Sequence, residues 1–270
     1  MFEVLVGLIV LPTAIIFLWN WLLVRMNAAV WDAYRYTGLI GTPIHELSHA
    51  VACVLFGMKI ESVSFYSPNP LTGQLGYVRF VYRTHSALHA LGRVIQGVAP
   101  LITASVILVL VLSLGDEMGK PGSLPLHLWV MDAAQATLTS ARDMFLSGWQ
   151  GMLTTVVCAI LALHLIPSVS DIQISLGGLV GVLFAGLCVL LGLDLLQMNL
   201  HSMGLAELMG VNIHYALGVA LDWTEAALWM GVLGVTATVV MALIGSAGVI
   251  LVPSIIGFGV RYIRGARGAT

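Results

Sequence analysis

An all-α polytopic membrane fold, with about six transmembrane helices and one small cytoplasmic-side β-hairpin, is what this sequence predicts. Three observations predict it. The 270 residues are 59% hydrophobic and 9% charged, with a mean hydropathy of +0.99, whereas soluble domains are about a quarter charged. Apolar runs of roughly 20 residues, the helix length that crosses a hydrocarbon layer, recur along the chain. No stretch between them is long and polar enough to form a soluble domain, so residues 1–270 are expected to make a single membrane-embedded domain.

The expected spans are about 4–24, 37–57, 94–114, 150–168, 175–197 and 226–258. The first lacks a basic leading region and is too long for a signal-peptide core, so it reads as a retained helix. Between the second and third, residues 59–83 alternate weakly, as in Val63-Ser64-Phe65 and Tyr77-Val78-Arg79-Phe80-Val81-Tyr82. These flank the turn signals Ser67-Pro68-Asn69-Pro70 and Thr72-Gly73, which together read as a β-hairpin. Residues 116–148 begin with Gly119, Pro121, Gly122 and Pro125 and continue as a helix-compatible stretch over 126–146, expected to lie along the membrane surface. The last run has 33 residues and would extend about 50 Å as one helix. That is too long for a straight crossing and too short for two, so it is either one bent helix or two elements, with Gly245, Gly248 and Pro253 as places to bend.

An even number of spans puts both termini on one side. Arg261, Arg264 and Arg267 make that side cytoplasmic by the positive-inside rule. Lys59, Arg79, Arg83 and Arg93 then fall on the same side, seven basic residues against four outside, Arg25, Arg35, Lys120 and Arg142. The expected location is a bacterial-type plasma membrane. Net charge is −2 with no charged block before the tail, so nucleic acid is not an expected partner. Cys53, Cys158 and Cys188 lie in apolar runs as small hydrophobes and carry no disulfide or thiolate-metal pattern. Trp19, Trp21, Trp31, Trp149, Trp223 and Trp229 fall mainly near span ends, as an anchoring belt does.

Chemistry concentrates in the second span, at His45-Glu46-Leu47-Ser48-His49. Two histidines four residues apart project from one face of a helix, so both imidazoles can reach one zinc ion. Glu46 stands beside them as a general base for the water that zinc activates. With 8 His and 6 Glu in the chain, chance supplies roughly 0.005 such matches. Three ionisable groups inside an apolar span are costly to insert and point to function, the alternatives being a hydrogen-bonded polar cluster or a structural zinc. Pro43, just before the motif, loosens the local helical hydrogen bonding. A catalytic zinc needs a third protein ligand, and Asp171, after the helix-breaking Pro167, is the candidate, with His164 the alternative. Asp194 with His201, and His85 with His89, read as interfacial residues.

Four features together resemble the site-2 protease family of intramembrane zinc metalloproteases: the zinc-motif helix, the hairpin after it, Gly97-Val98-Ala99-Pro100-Leu101-Ile102 opening the third span, and a later Pro-then-Asp motif. The similarity covers roughly 37–115 and 150–180. It implies a zinc-dependent endopeptidase with Glu46 catalytic, His45, His49 and Asp171 on the metal, and His164 holding the substrate backbone or stabilising the oxyanion. It implies single-span membrane proteins as substrates, cleaved in or near their transmembrane helices within the lipid bilayer, as in regulated intramembrane proteolysis. The chain departs from the family pattern in having His164 where an Asn is usual, one residue fewer between Pro167 and Asp171, and Ile172 in place of Gly. Gating would fall to the segment 116–148, the loop 198–225, or a regulatory membrane partner. The competing reading is a noncatalytic relative that binds helices as a chaperone or assembly subunit. A small transporter with a midplane site is disfavoured because no internal repeat is visible.

Overall fold

The structure is a computed structural model that describes Ala14, Leu18 and residues 28–69, 71–117, 125–202 and 213–267. The expected span 4–24, with Trp19 and Trp21, lies outside the described residues apart from Ala14 and Leu18, and so do Gly119, Pro121 and Gly122. The fold is mostly helical with one small antiparallel sheet. In chain order the elements are α1 Ala28–Leu55, β1 Lys59–Ser64, β2 Tyr77–Val81, α2 Ala87–Val111, α3 Leu114–Glu117, α4 Leu126–Leu146, α5 Trp149–His164, α6 Val169–Ser202 and α7 Ile213–Arg267.

Among the described residues three stretches are long and apolar enough to cross a membrane: Ala87–Val111 in α2, Val169–Cys188 in α6 and Ala226–Pro253 in α7. The shorter apolar helix is α5. Helix α1 is two-faced. Thr42, Glu46, His49, Ala52 and Cys53 point inward, while Leu39, Ile40, Leu47, Val51, Val54 and Leu55 are exposed. A polar interior face and an apolar exterior reverse the soluble pattern, and an apolar patch of that extent marks contact with lipid or another protein. Pro43 does not break α1, which runs unbroken through it. The last apolar run is one continuous helix with Pro253 inside, not two elements.

The main core lies between α2, α4, α5 and α7. Trp129 and Trp229 meet edge to face at 5.2 Å between ring centroids, beside Leu108, Leu233 and Met241. Trp229 therefore belongs to the core, contrary to the belt expectation, because a ring on the inward face of α7 finds Trp129 before it finds an interface; Trp149 and Trp223 are exposed. Helix α4 carries one buried face. Its stripe Trp129, Ala133, Thr137 and Ala141, repeating every fourth residue, packs on α5 and α7, and Ser147-Gly148 turns the chain straight back into α5. Small residues on such a stripe let helix backbones approach closely, which is how helices associate where lipid removes the hydrophobic drive. Gly178 does the same for α6, where a Cβ would meet Ala90 O of α2 at 2.5 Å.

Strands β1 and β2 pair antiparallel from Lys59↔Val81 to Ser64↔Tyr77, with Glu61 bulged between Ile60 and Ser62. The connection continues as a loose ladder, Ser67 N–H to Leu75 O and Asn69 N–H to Gln74 O, closed by a turn in which Gly73 takes φ +73°. The hairpin starts where α1 ends but folds back along it. Tyr66 Oη donates to Arg35 O at 2.7 Å, and Leu75 packs against Gly38. It is thus not confined to the end at which α1 finishes, and it passes directly over the motif.

Candidate metal centre

His45 and His49 sit one turn apart on α1, and each ring is oriented through Nδ1. His45 Nδ1 donates to His164 O at 2.8 Å and His49 Nδ1 donates to Gln96 O at 2.7 Å. The Gln96 side-chain amide lies 3.1 Å from the same Nδ1. A carbonyl only accepts, so each Nδ1 carries a proton, and in the neutral ring each Nε2 presents a lone pair. The two Nε2 atoms stand 3.0 Å apart. Asp171 faces them, Oδ2 at 3.6 Å from His45 Nε2 and Oδ1 at 3.4 Å from His49 Nε2. His45, His49 and Asp171 thus offer ligand atoms all within 4.8 Å of one another and form a group that can hold a metal ion. Ligand atoms this close are held together by a shared proton or by a cation between them.

Two prolines explain why those carbonyls are available. In an α-helix Gln96 O would accept from the N–H of residue 100, but Pro100, inside α2, has none. His164 is the last residue of α5, Pro167 ends the helical run, and the N–H of Ser168 is turned to Asp171 Oδ2 at 2.7 Å. Both freed carbonyls are taken by the histidines.

Asp171 belongs to the first turn of α6. Ser168 and Asp171 form a reciprocal capping box: Ser168 Oγ accepts from Asp171 N–H at 3.3 Å, and Asp171 Oδ2 accepts from Ser168 N–H. Such a box satisfies two backbone donors that a helix start leaves unpaired, and the helix dipole favours the anionic carboxylate there. Ser168 Oγ also lies 2.7 Å from Oδ2. With Oδ2 engaged, Oδ1 is the oxygen left for a metal. Gly97 of α2 abuts Asp171 O and so holds the start of α6 against the motif.

Glu46 is 6% exposed and faces the same cleft. The hairpin backbone presses on it: a Cβ on Gly76 would stand 2.8 Å from Glu46 Cγ and 2.9 Å from Oε1. His164 is placed one step out from the metal group. Its ring stacks on Tyr34 with centroids 4.5 Å apart, and Gly41 leaves it room. The Thr37 hydroxyl lies 2.9 Å from His164 Nε2 and within hydrogen-bond distance of Ala33 O and Tyr34 O, at 3.1 and 3.0 Å, so it ties the ring to the α1 backbone. The metal group contains Asp171 and does not contain the His164 ring.

All five site residues read from the sequence, His45, Glu46, His49, His164 and Asp171, line one cleft of about 1090 Å³ between the hairpin and the α5–α6 junction. Sequence reading missed Gln96, Ser168, Thr37 and Gly76, and took Pro100 only as part of the stretch that opens the third span. Of these, Ser168 was findable, since Ser-x-x-Asp at a helix start is a capping signature. His89 is structural: its Nδ1 accepts the Arg83 N–H at 2.6 Å and its N–H caps onto Ser86 Oγ at the start of α2. Asp194 and His201 lie outside the described side chains. Cys53 and Cys158 are buried and free, and Cys188 is exposed and free. In comparisons with known proteins the chain matches no family model, no curated protein and no solved structure.

Proposed function

We propose that this protein is an intramembrane zinc metalloprotease of the site-2 protease type, cleaving single-span membrane proteins in or near their transmembrane helices. The observation that carries the proposal is the convergence of His45 Nε2, His49 Nε2 and Asp171, both rings held with Nδ1 protonated, beside a carboxylate that is not in the ligand group. Two imidazoles and one carboxylate are a ligand set of catalytic zinc, which keeps a further position open. When bound there, zinc supplies Lewis-acid activation of a water molecule and of the peptide carbonyl. Glu46 takes the water proton on its carboxylate and returns it to the leaving amine. His164, with Nε2 hydrogen-bonded to Thr37, has Nδ1 left to meet the substrate backbone or the oxyanion.

A transmembrane helix keeps its amides in internal hydrogen bonds, so the segment to be cut must unwind. The hairpin offers it a strand edge beside Glu46, and strand addition there satisfies the opened backbone. In the proposed arrangement six helices cross, both termini are cytoplasmic, and α4, whose exposed residues include Asp132, Gln135 and Arg142, accompanies α5 without counting among the six.

The test is Glu46→Gln in the full chain, with co-expressed single-span proteins as substrates. Cleavage should fall about 10²–10⁴-fold, the usual worth of a general base, while bound zinc and helix binding persist. Cleavage at the wild-type rate refutes the protease reading; a cellular phenotype that survives the change supports the helix-binding, noncatalytic one.

A further inference from the structure

The cleft carries both acids and donors, but among the described residues that line it Arg79 is the single Lys or Arg. Arg79 lies on β2 opposite Ser62, with its guanidinium carbon 4.9 Å from the centroid of the Tyr77 ring on the same strand face. It makes no ion pair with a described residue; the nearby bulge residue Glu61 is not within ion-pair distance. Arg79 is exposed on the hairpin, so its charge needs no internal acid; what singles it out is that a ligand entering the cleft meets this one cation on its lining. Its place on the hairpin says which ligand. Gly76 touches Glu46, and three residues of extended chain span about 10 Å, so Arg79 stands that far along the strand from the reacting position.

We propose that Arg79 is a specificity-determining residue that selects substrates bearing an acidic side chain about three residues from the scissile bond. The inference rests on the protease reading and adds a substrate class to it. A segment added to the edge of β2 presents side chains to both faces of the sheet, and the face shared by Tyr77 and Arg79 offers an aromatic wall with a cation against it. A carboxylate there gains a charge-assisted hydrogen bond, and a lysine meets repulsion.

The test uses the full-length Glu46→Gln protein, zinc-loaded, in nanodiscs of neutral lipid. Synthetic single-span peptides carry Asp, Ser or Lys, scanned through the positions flanking a central helix-breaking Asn-Gly pair. Asp peptides should bind about fivefold tighter than Ser peptides at the favoured position, and Lys peptides more weakly than either. Arg79→Ala should erase the preference and Arg79→Glu should invert it, with bound zinc unchanged as the check on folding. Equal affinities across the peptides, a preference that survives Arg79→Glu, or no binding by any peptide overturns the proposal. So does an affinity that follows added anionic lipid and ignores the peptide charge, which would make Arg79 a headgroup anchor. The same peptides given to protein with Glu46 intact separate the two readings. Charge-selective binding without cleavage sinks the protease and leaves Arg79 standing, and cleavage without charge preference does the reverse.

Discussion

Replacing Pro100 with Ala tests how the histidines are aimed. The change restores an N–H at position 100, and the Gln96 carbonyl regains the helical partner that proline denied it. An interior proline costs a helix about 3 kcal/mol, so the apo protein should gain stability up to that amount, less the packing lost with the buried ring. The metal site should lose. His49 Nδ1 now holds Gln96 O at 2.7 Å, and loss of such an outer partner lowers metal affinity about 10–100-fold. A carbonyl has two lone pairs, so His49 keeps part of its bond, and the expectation sits at the low end, about tenfold, or roughly 1.4 kcal/mol. Zinc affinity by chelator competition and thermal unfolding of chelator-treated protein, both on the full chain in nanodiscs, read the two effects separately. A higher Tm with weaker zinc binding is the expected result. A higher Tm with unchanged or tighter zinc binding refutes the idea that the freed carbonyl orients His49.

Two further changes test the ligand set and the hairpin. Asp171→Ala should reduce zinc from about one per chain to a small fraction by elemental analysis, whereas His164→Ala should retain it, because His45 is held by the main-chain oxygen at 164 and not by the ring; full retention in Asp171→Ala removes Asp171 from the ligands. Gly76→Ala puts a methyl group against both the Glu46 side chain and the Ser64 backbone oxygen, and the resulting shift of Glu46 and the hairpin by a few tenths of an ångström should lower kcat about tenfold or more with zinc content unchanged. An unaltered kcat would show that the hairpin lifts away before the chemistry.

The local parts of the site were legible because they depend on local spacing. His45 and His49 are one helical turn apart whatever surrounds them, and Glu46 follows by the same geometry. Pro167 announced the break after α5, but not that the next residues form a capped helix start, in which Ser168 sets the spacing to Asp171. The hairpin strands were visible in the alternation of 77–82, but the path of their connection back to Arg35 was not, since no period in residues 65–76 encodes what they will touch. Trp229 was misplaced for a similar reason: the composition of a span end does not say which face of the helix a ring will occupy.

By itself, then, the sequence determined that the chain is apolar throughout, that most of it is helical, and that a two-histidine, one-glutamate motif lies on one of those helices. Each follows from composition or from the fixed 3.6-residue turn. Only the tertiary structure decided that Asp171, 122 residues beyond His49, completes the group, that Gln96 and His164 lend their carbonyls to it, and that the hairpin closes over Glu46. Those are contacts between elements distant in the chain, set by how α1, α2, α5 and α6 pack, and packing depends on all the faces at once.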